Sequence, residues 1–180
     1  MKSKDIAIVG ILLAIGAILR YFLAMFNTPL TPNMIIAFYC LAIILLKPKI
    51  YEAVGIGFVA GVLSMLISSS VFPTANLISE PAGAYVCFIF YQVLRHRENL
   101  APMITTFIAT LASGVIFAGI ATVFMYTTIL PMYHGNFSEF FVIYVPIVVI
   151  TAVLNAVIVQ ILYLPLSRVV KRESNPDYFH

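Results

Sequence analysis

The stretch "NTPLTPNMIIAFYCLAIILLKPK", residues 27–49, frames the reading of the whole chain. Its first seven residues hold two prolines and two asparagines, residues 34–46 carry no charge, and Lys47 and Lys49 close it. Thirteen residues make about 20 Å of helix, whereas crossing a hydrocarbon core of about 30 Å takes roughly 20 residues. Residues 34–46 are therefore too short to span alone. The loop ahead of them is expected to dip into the outer part of the membrane, and irregular backbone at that depth survives only where it is buried in protein or lines a cavity.

The rest of the chain fits a membrane setting. Of its 180 residues, 62% are hydrophobic and 9% charged, with a mean hydropathy of +1.06. A soluble domain has about 25% charged residues, and a water-soluble fold could not hide this much apolar surface. Residues 6–26 follow Lys2 and Lys4 as a signal peptide would, but the run is long enough to span, so it reads as a first membrane helix with no leader to remove. Cys40 and Cys87 stand in apolar segments without a CxxC or a Cys/His cluster, and read as small buried hydrophobes.

Apolar segments at about 6–26, 34–46, 53–70, 82–94, 102–130 and 140–167 predict six helices in a single domain, 1–172, with a flexible tail at 173–180. The second and fourth are short, and each follows a proline-bearing stretch, 27–33 and 72–81. Lys2, Lys4, Lys47, Lys49, Arg95, Arg97, Arg168, Lys171 and Arg172 all fall on one side of a six-span topology. By the positive-inside rule that side, with both termini, is cytoplasmic. The expected fold class is thus an all-α integral membrane protein with six transmembrane helices.

No P-loop, HExxH or GxSxG occurs, and His96, His134 and His180 all fall in loops or the tail. Catalysis, ATP hydrolysis by this chain, a metal site, a cofactor and nucleic-acid binding are not indicated. The informative residues are polar groups in apolar surroundings. Arg20 lies two-thirds along helix 1, where an arginine costs about 2.5–3.5 kcal/mol on insertion scales. It either snorkels outward or pairs with Glu80 or a carbonyl, or it forks onto a substrate carboxylate. Glu80 is the only charge between Ala53 and Leu94. Ser79 as N-cap and Pro81 in the first turn would make Glu80 a dipole partner at the start of helix 4; the alternative is a substrate ammonium. Asn33 and Asn76 belong to the two infolded loops. Asn155 lies mid-helix 6 as packing glue or cavity lining. Tyr126, Tyr133, Phe72 and Tyr85 are candidate aromatic walls. Glu139 has capping-box spacing from Asn136. Ala7, Gly10, Ala14 and Ala17 form a small-residue stripe on helix 1, for internal packing or for docking a separate membrane subunit. Gly57 and Gly61 suit packing within the protein.

This arrangement resembles the substrate-binding S components of energy-coupling factor (ECF) transporters, and among them the tryptophan-transporter (TrpP) family. The matching stretches are "ILLAIGAIL" (11–19), "TPNMIIAFYCLAIILLKP" (31–48), "GIGFVAGVLSMLISSSVFPTANLISEPAGAYVCF" (55–88), "LASGVIF" (111–117) and "AVLNAVIVQILYLP" (152–165). The chain departs from the family pattern at Thr31 and Asn33, where a basic residue and an aspartate are usual. It also carries Ser79-Glu80-Pro81 for Asp-Lys-Pro, and Arg20 for a histidine, so the charges around the expected pocket are rearranged. The resemblance implies a multi-pass protein of a prokaryotic plasma membrane that captures tryptophan or a similar aromatic molecule outside. A transmembrane coupling subunit and two cytosolic ATPases would then drive release inside, with Ala7, Gly10, Ala14 and Ala17 at the coupling surface. Asn76, Pro81 and Asn155 fall on matching motif positions, and with the candidates read from the residues themselves the expected substrate-binding set is Arg20, Asn33, Asn76, Glu80, Tyr126 and Asn155. A stand-alone secondary transporter, or an assembly subunit holding Arg20 and Glu80 as a static pair, are the other readings.

Overall fold

A computed structural model describes residues 1–26, 32–68, 70, 72–97, 100–124 and 137–173, the side chains of 124, 137–141 and 171–173 excepted. The described residues form six α-helices: α1 (Ser3–Ala24), α2 (Ile35–Leu46), α3 (Ile50–Ile67), α4 (Asn76–Leu94), α5 (Ala101–Phe124) and α6 (Phe137–Glu173). A single 3-10 turn, Pro73–Ala75, leads into α4. All but α2 are long and apolar enough to cross a membrane. Their outward side chains, among them Ile11, Leu66, Val115 and Val142, are large, apolar and exposed, as a lipid-facing surface requires. The chain is a multi-pass membrane protein.

The short helix α2 is the centre. It touches all five other helices, and every residue from Ile35 to Ile44 is buried. Apolarity alone would let this helix face lipid; its 12 residues leave its unpaired end groups within the membrane depth, where they need protein around them. Its ends are defined locally. The Asn33 side-chain oxygen accepts the Ile35 N–H at 3.2 Å, one of the donors that a helix start leaves without a partner. At the other end Lys47 turns left-handed (φ 48°) and returns its N–H to Ile43 at 3.0 Å, and Pro48 follows, which cannot continue the helix.

Charged side chains fix one end of the bundle. Asp5 accepts the Lys2 N–H at 2.8 Å to start α1, and Glu52 accepts the Lys49 N–H at 2.7 Å to start α3. The Met1 ammonium pairs with the same Glu52, so the chain start and the α2–α3 connection share one end. This is the end carrying Lys2, Lys4, Lys47 and Lys49, in accord with the charge reading.

One helix differs from expectation. Helix 4 starts at Asn76, not 82, and with the 3-10 turn ahead of it, Pro73–Leu94, it is long and apolar enough to span. Ala75, not Ser79, occupies the N-cap position, Glu80 stands in the second turn, and Pro81 lies inside the helix. The assignment of Glu80 to the helix start is therefore overturned. Pro81 is tolerated because, as the sixth helical residue, it forfeits a single backbone bond near the start. The Asn76 amide meanwhile donates to the Pro73 carbonyl at 2.7 Å and ties the 3-10 turn to the helix.

The glycines of α3 pack against this start. A Cβ on Gly57 would come 2.6 Å from the Ala84 Cβ and 2.8 Å from the Pro81 Cα; one on Gly61 would meet the Asn76 carbonyl oxygen at 2.6 Å. As α3 runs from 57 to 61 its contacts on α4 run back from 84 to 76, so the two helices are antiparallel. The internal-packing reading of Gly57 and Gly61 holds. Gly10 is the opposite case, with open space where its Cβ would be. Gly57→Leu is thus expected to destabilise the protein by about 1–3 kcal/mol, the usual cost of overpacking, and Gly10→Leu to leave it unchanged. Thermal unfolding in detergent checks both.

Candidate functional site

Twelve residues of α2 span about 18 Å at 1.5 Å each, so its enclosed helix ends well short of the outer face. Above its start lies a partly open cavity with an interior volume of about 70 Å³. Arg20 enters it from α1, Asn33 and Ile36 from the start of α2, and Ser68 and Ser70 from the end of α3. Asn76 and Glu80 come from α4, Thr110, Ser113, Gly114 and Phe117 from α5, and Tyr144, Ile147, Val148 and Thr151 from α6.

The floor is a hydrogen-bonded set built around Glu80, which is 1% exposed. The Asn33 amide donates to one carboxylate oxygen and the Ser113 hydroxyl to the other at 3.2 Å. The Tyr39 hydroxyl is buried beside the same carboxylate without good hydrogen-bond geometry. Asn33 cannot turn away, because its other amide atom caps α2. Its backbone carbonyl in turn accepts the Asn155 amide at 3.0 Å, and that amide also lies 3.3 Å from the Thr110 hydroxyl. One residue thus links α2, α4 and α6. A buried ion is tolerated only when its lone pairs are met in this way. Asn33 and Glu80, 47 positions apart in the chain, are thus in direct contact.

Arg20 sits differently. It is 4% exposed, so it does not snorkel into the headgroups. Among the described residues no carboxylate lies within 4.0 Å of it, and its Nε and Nη1 are buried without a hydrogen-bond partner. The static Arg20–Glu80 pair is not formed. The two opposite charges share the cavity and do not neutralise each other by contact.

The aromatic wall comes from residues that the sequence reading passed over. Phe117 and Tyr144 stack with centroids 6.1 Å apart and planes 15° apart, and the Tyr144 hydroxyl is turned back onto the Gly114 carbonyl at 3.0 Å. Phe72 packs behind them. Tyr85 is 47% exposed and is no part of the wall. Tyr126, Tyr133 and Thr31 lie outside the described residues, as does Asn136 of the expected capping box. Asn155 does not line the cavity; it stands behind Asn33 and Thr110, which do. The missed residues had a signal: Thr106, Thr110, Ser113 and Phe117 recur at steps of 4, 3 and 4 along α5, and Tyr144, Val148, Thr151 and Asn155 do so along α6. Each set marks one helix face.

On α1, Ala7, Gly10 and Ala14 are exposed and Ala17 half-buried. The glycine that packs inside is Gly16, against Phe38 and Ile35.

Fold and cavity together define a multi-pass membrane protein with a partly open, polar-floored cavity between its helices. The sequence matches the family described as "Tryptophan transporter TrpP" over residues 2–172, and the chain belongs to that family. It is 28% identical over 178 residues to a probable tryptophan transport protein of Bacillus subtilis (strain 168), covering 97% of this chain and 96% of the relative. A probable tryptophan transport protein of Clostridium perfringens (strain 13 / Type A) is 25% identical over 187 residues, with 96% of each covered. No solved structure matches.

The Asn33–Glu80 contact has a measurable weight. Asn33→Leu removes a donor from a buried carboxylate, a loss of about 1.5–3 kcal/mol. The double variant Asn33→Leu/Glu80→Leu is expected to be less destabilised than the two singles added together. Unfolding of the four proteins in one detergent checks this; additive losses would mean that the two side chains are not coupled.

Proposed function

We propose that the chain is the substrate-binding membrane subunit of a tryptophan importer, holding the amino acid in the cavity above α2. The observation that carries this reading is Arg20. This buried guanidinium lines the cavity and has no carboxylate within 4.0 Å among the described residues, and an α-carboxylate would supply the anionic partner it lacks. Glu80, on the same cavity, has the sign to face the α-ammonium. Phe117 and Tyr144 offer an apolar aromatic surface for an indole. Asn76 and Asn33 complete the polar end, and Asn155 holds Asn33 in place. The names of the family and of the relatives support tryptophan over other aromatic molecules.

The same proposal extends to energy coupling. The exposed small-residue face of α1, Ala7, Gly10 and Ala14, with Ala17 at its edge, lets another membrane helix approach closely. Together with the resemblance to S components, it supports docking on a transmembrane coupling subunit served by two cytosolic ATPases. The chain itself has no P-loop to hydrolyse ATP. The rival idea of an inert assembly subunit needed a static Arg20–Glu80 pair, which is not formed among the described residues.

Two measurements test this. Calorimetric titration of the detergent-purified protein with tryptophan is expected to give saturable one-to-one binding, and no heat up to millimolar tryptophan would count against the substrate. Gly10→Leu is expected to bind tryptophan as the parent does and to lose most uptake in cells. Equal loss of binding and uptake would remove the docking role.

A further inference from the structure

We infer that the cavity recognises its ligand through the carboxylate, with Arg20 as the anchor and Glu80 as a counter-charge already held by the protein. The ligand class is then an aromatic carboxylate, in which the α-amino group is secondary. The inference rests on the reading of the cavity as the tryptophan site and deepens it.

The argument is an asymmetry between two buried charges on one cavity. Glu80 has a donor on each oxygen, Asn33 on one and Ser113 on the other. The Asn33 amide is fixed by its second bond, to the Ile35 N–H, so it stays on the carboxylate whether or not a ligand is present. An arriving ammonium must share oxygens that are already satisfied, and its gain is correspondingly small. Arg20 has no such support. It lines the cavity, its Nε and Nη1 are buried without a partner among the described residues, and no carboxylate among them lies within 4.0 Å, so its charge is not compensated by contact. An arriving carboxylate supplies the missing counter-charge and accepts a charge-assisted bond from the guanidinium. A site built to bond a group rejects ligands that lack it, because the site's own polar atoms are then left unpaired. An aromatic amine without the carboxylate also brings a second cation into a confined cavity that already holds Arg20, and like charges repel strongly there.

The test compares two analogues that differ from tryptophan by one group each: indole-3-propionate, without the amine, and tryptamine, without the carboxylate. Both are titrated calorimetrically into the full chain in detergent, beside tryptophan. The readout is the ratio of their affinities. Indole-3-propionate is expected to bind more than about tenfold more tightly than tryptamine, the weight of one charge-assisted bond. In Arg20→Gln the ratio is expected to fall below about tenfold. Arg20→Lys keeps the charge but loses the fork, and should give an intermediate ratio; it serves alone if Arg20→Gln does not fold. A parent ratio under about tenfold, or a ratio unmoved by either Arg20 variant, overturns the inference. Binding of indole-3-propionate without binding of tryptophan sustains the anchor and overturns the amino-acid reading. Failure of all three ligands overturns both.

Discussion

The structure depends on one constraint: a helix of 12 residues is too short to cross a membrane about 30 Å deep, so its polar ends must be met by protein. Enclosure from Ile35 to Ile44 draws all five other helices around α2. Its shortness leaves the remaining depth unfilled by helix. That space begins at Asn33, where the backbone needs caps, and the neighbouring helices bring polar groups to the same level. The cavity is thus a consequence of the length of α2 and the close approach of its neighbours. Gly57 and Gly61 let α3 lie directly against the start of α4, which places Glu80 beside Asn33.

Polar groups then keep the space distinct from the apolar core. Glu80 is compensated by neutral donors, while Arg20 is not compensated by contact. Two buried ions of opposite sign would ordinarily meet. Here the carboxylate is held on Asn33 and Ser113, both anchored on other helices. On the proposed reading, a cavity with a hydrogen-bonded anion and a cation uncompensated by contact receives an anionic group from outside. The stacked Phe117 and Tyr144 give the body of such a molecule an apolar face. Binding and enclosure therefore draw on the same short helix.

Much of this was legible in the sequence, for physical reasons. In a membrane, apolar runs mark helices and lysines mark one end, so six helices and their direction could be read. The bounds of α2 followed from Asn33 ahead of it and Pro48 behind it. The start of α4 did not, because Pro81 reads as a first-turn residue when judged alone; only the packing of Asn76 and Gly61 shows the helix already formed before it. Glu80, Arg20, Asn33 and Asn76 stood out as polar residues in apolar surroundings. Thr110, Ser113, Phe117 and Tyr144 did not, since hydroxyl and aromatic residues are common in membrane helices and their role appears only when their helix faces are known. The partnership of Asn33 with Glu80 joins residues 47 positions apart and could not be read from local pattern.

The most direct test of the account is an experimental structure of the protein with tryptophan bound. The account expects the ligand above the start of α2, its carboxylate within hydrogen-bond distance of the Arg20 guanidinium and its indole against Phe117 and Tyr144, with the Asn33–Glu80 bond intact. A ligand bound elsewhere, or in this cavity with Arg20 turned away from the carboxylate, would contradict it.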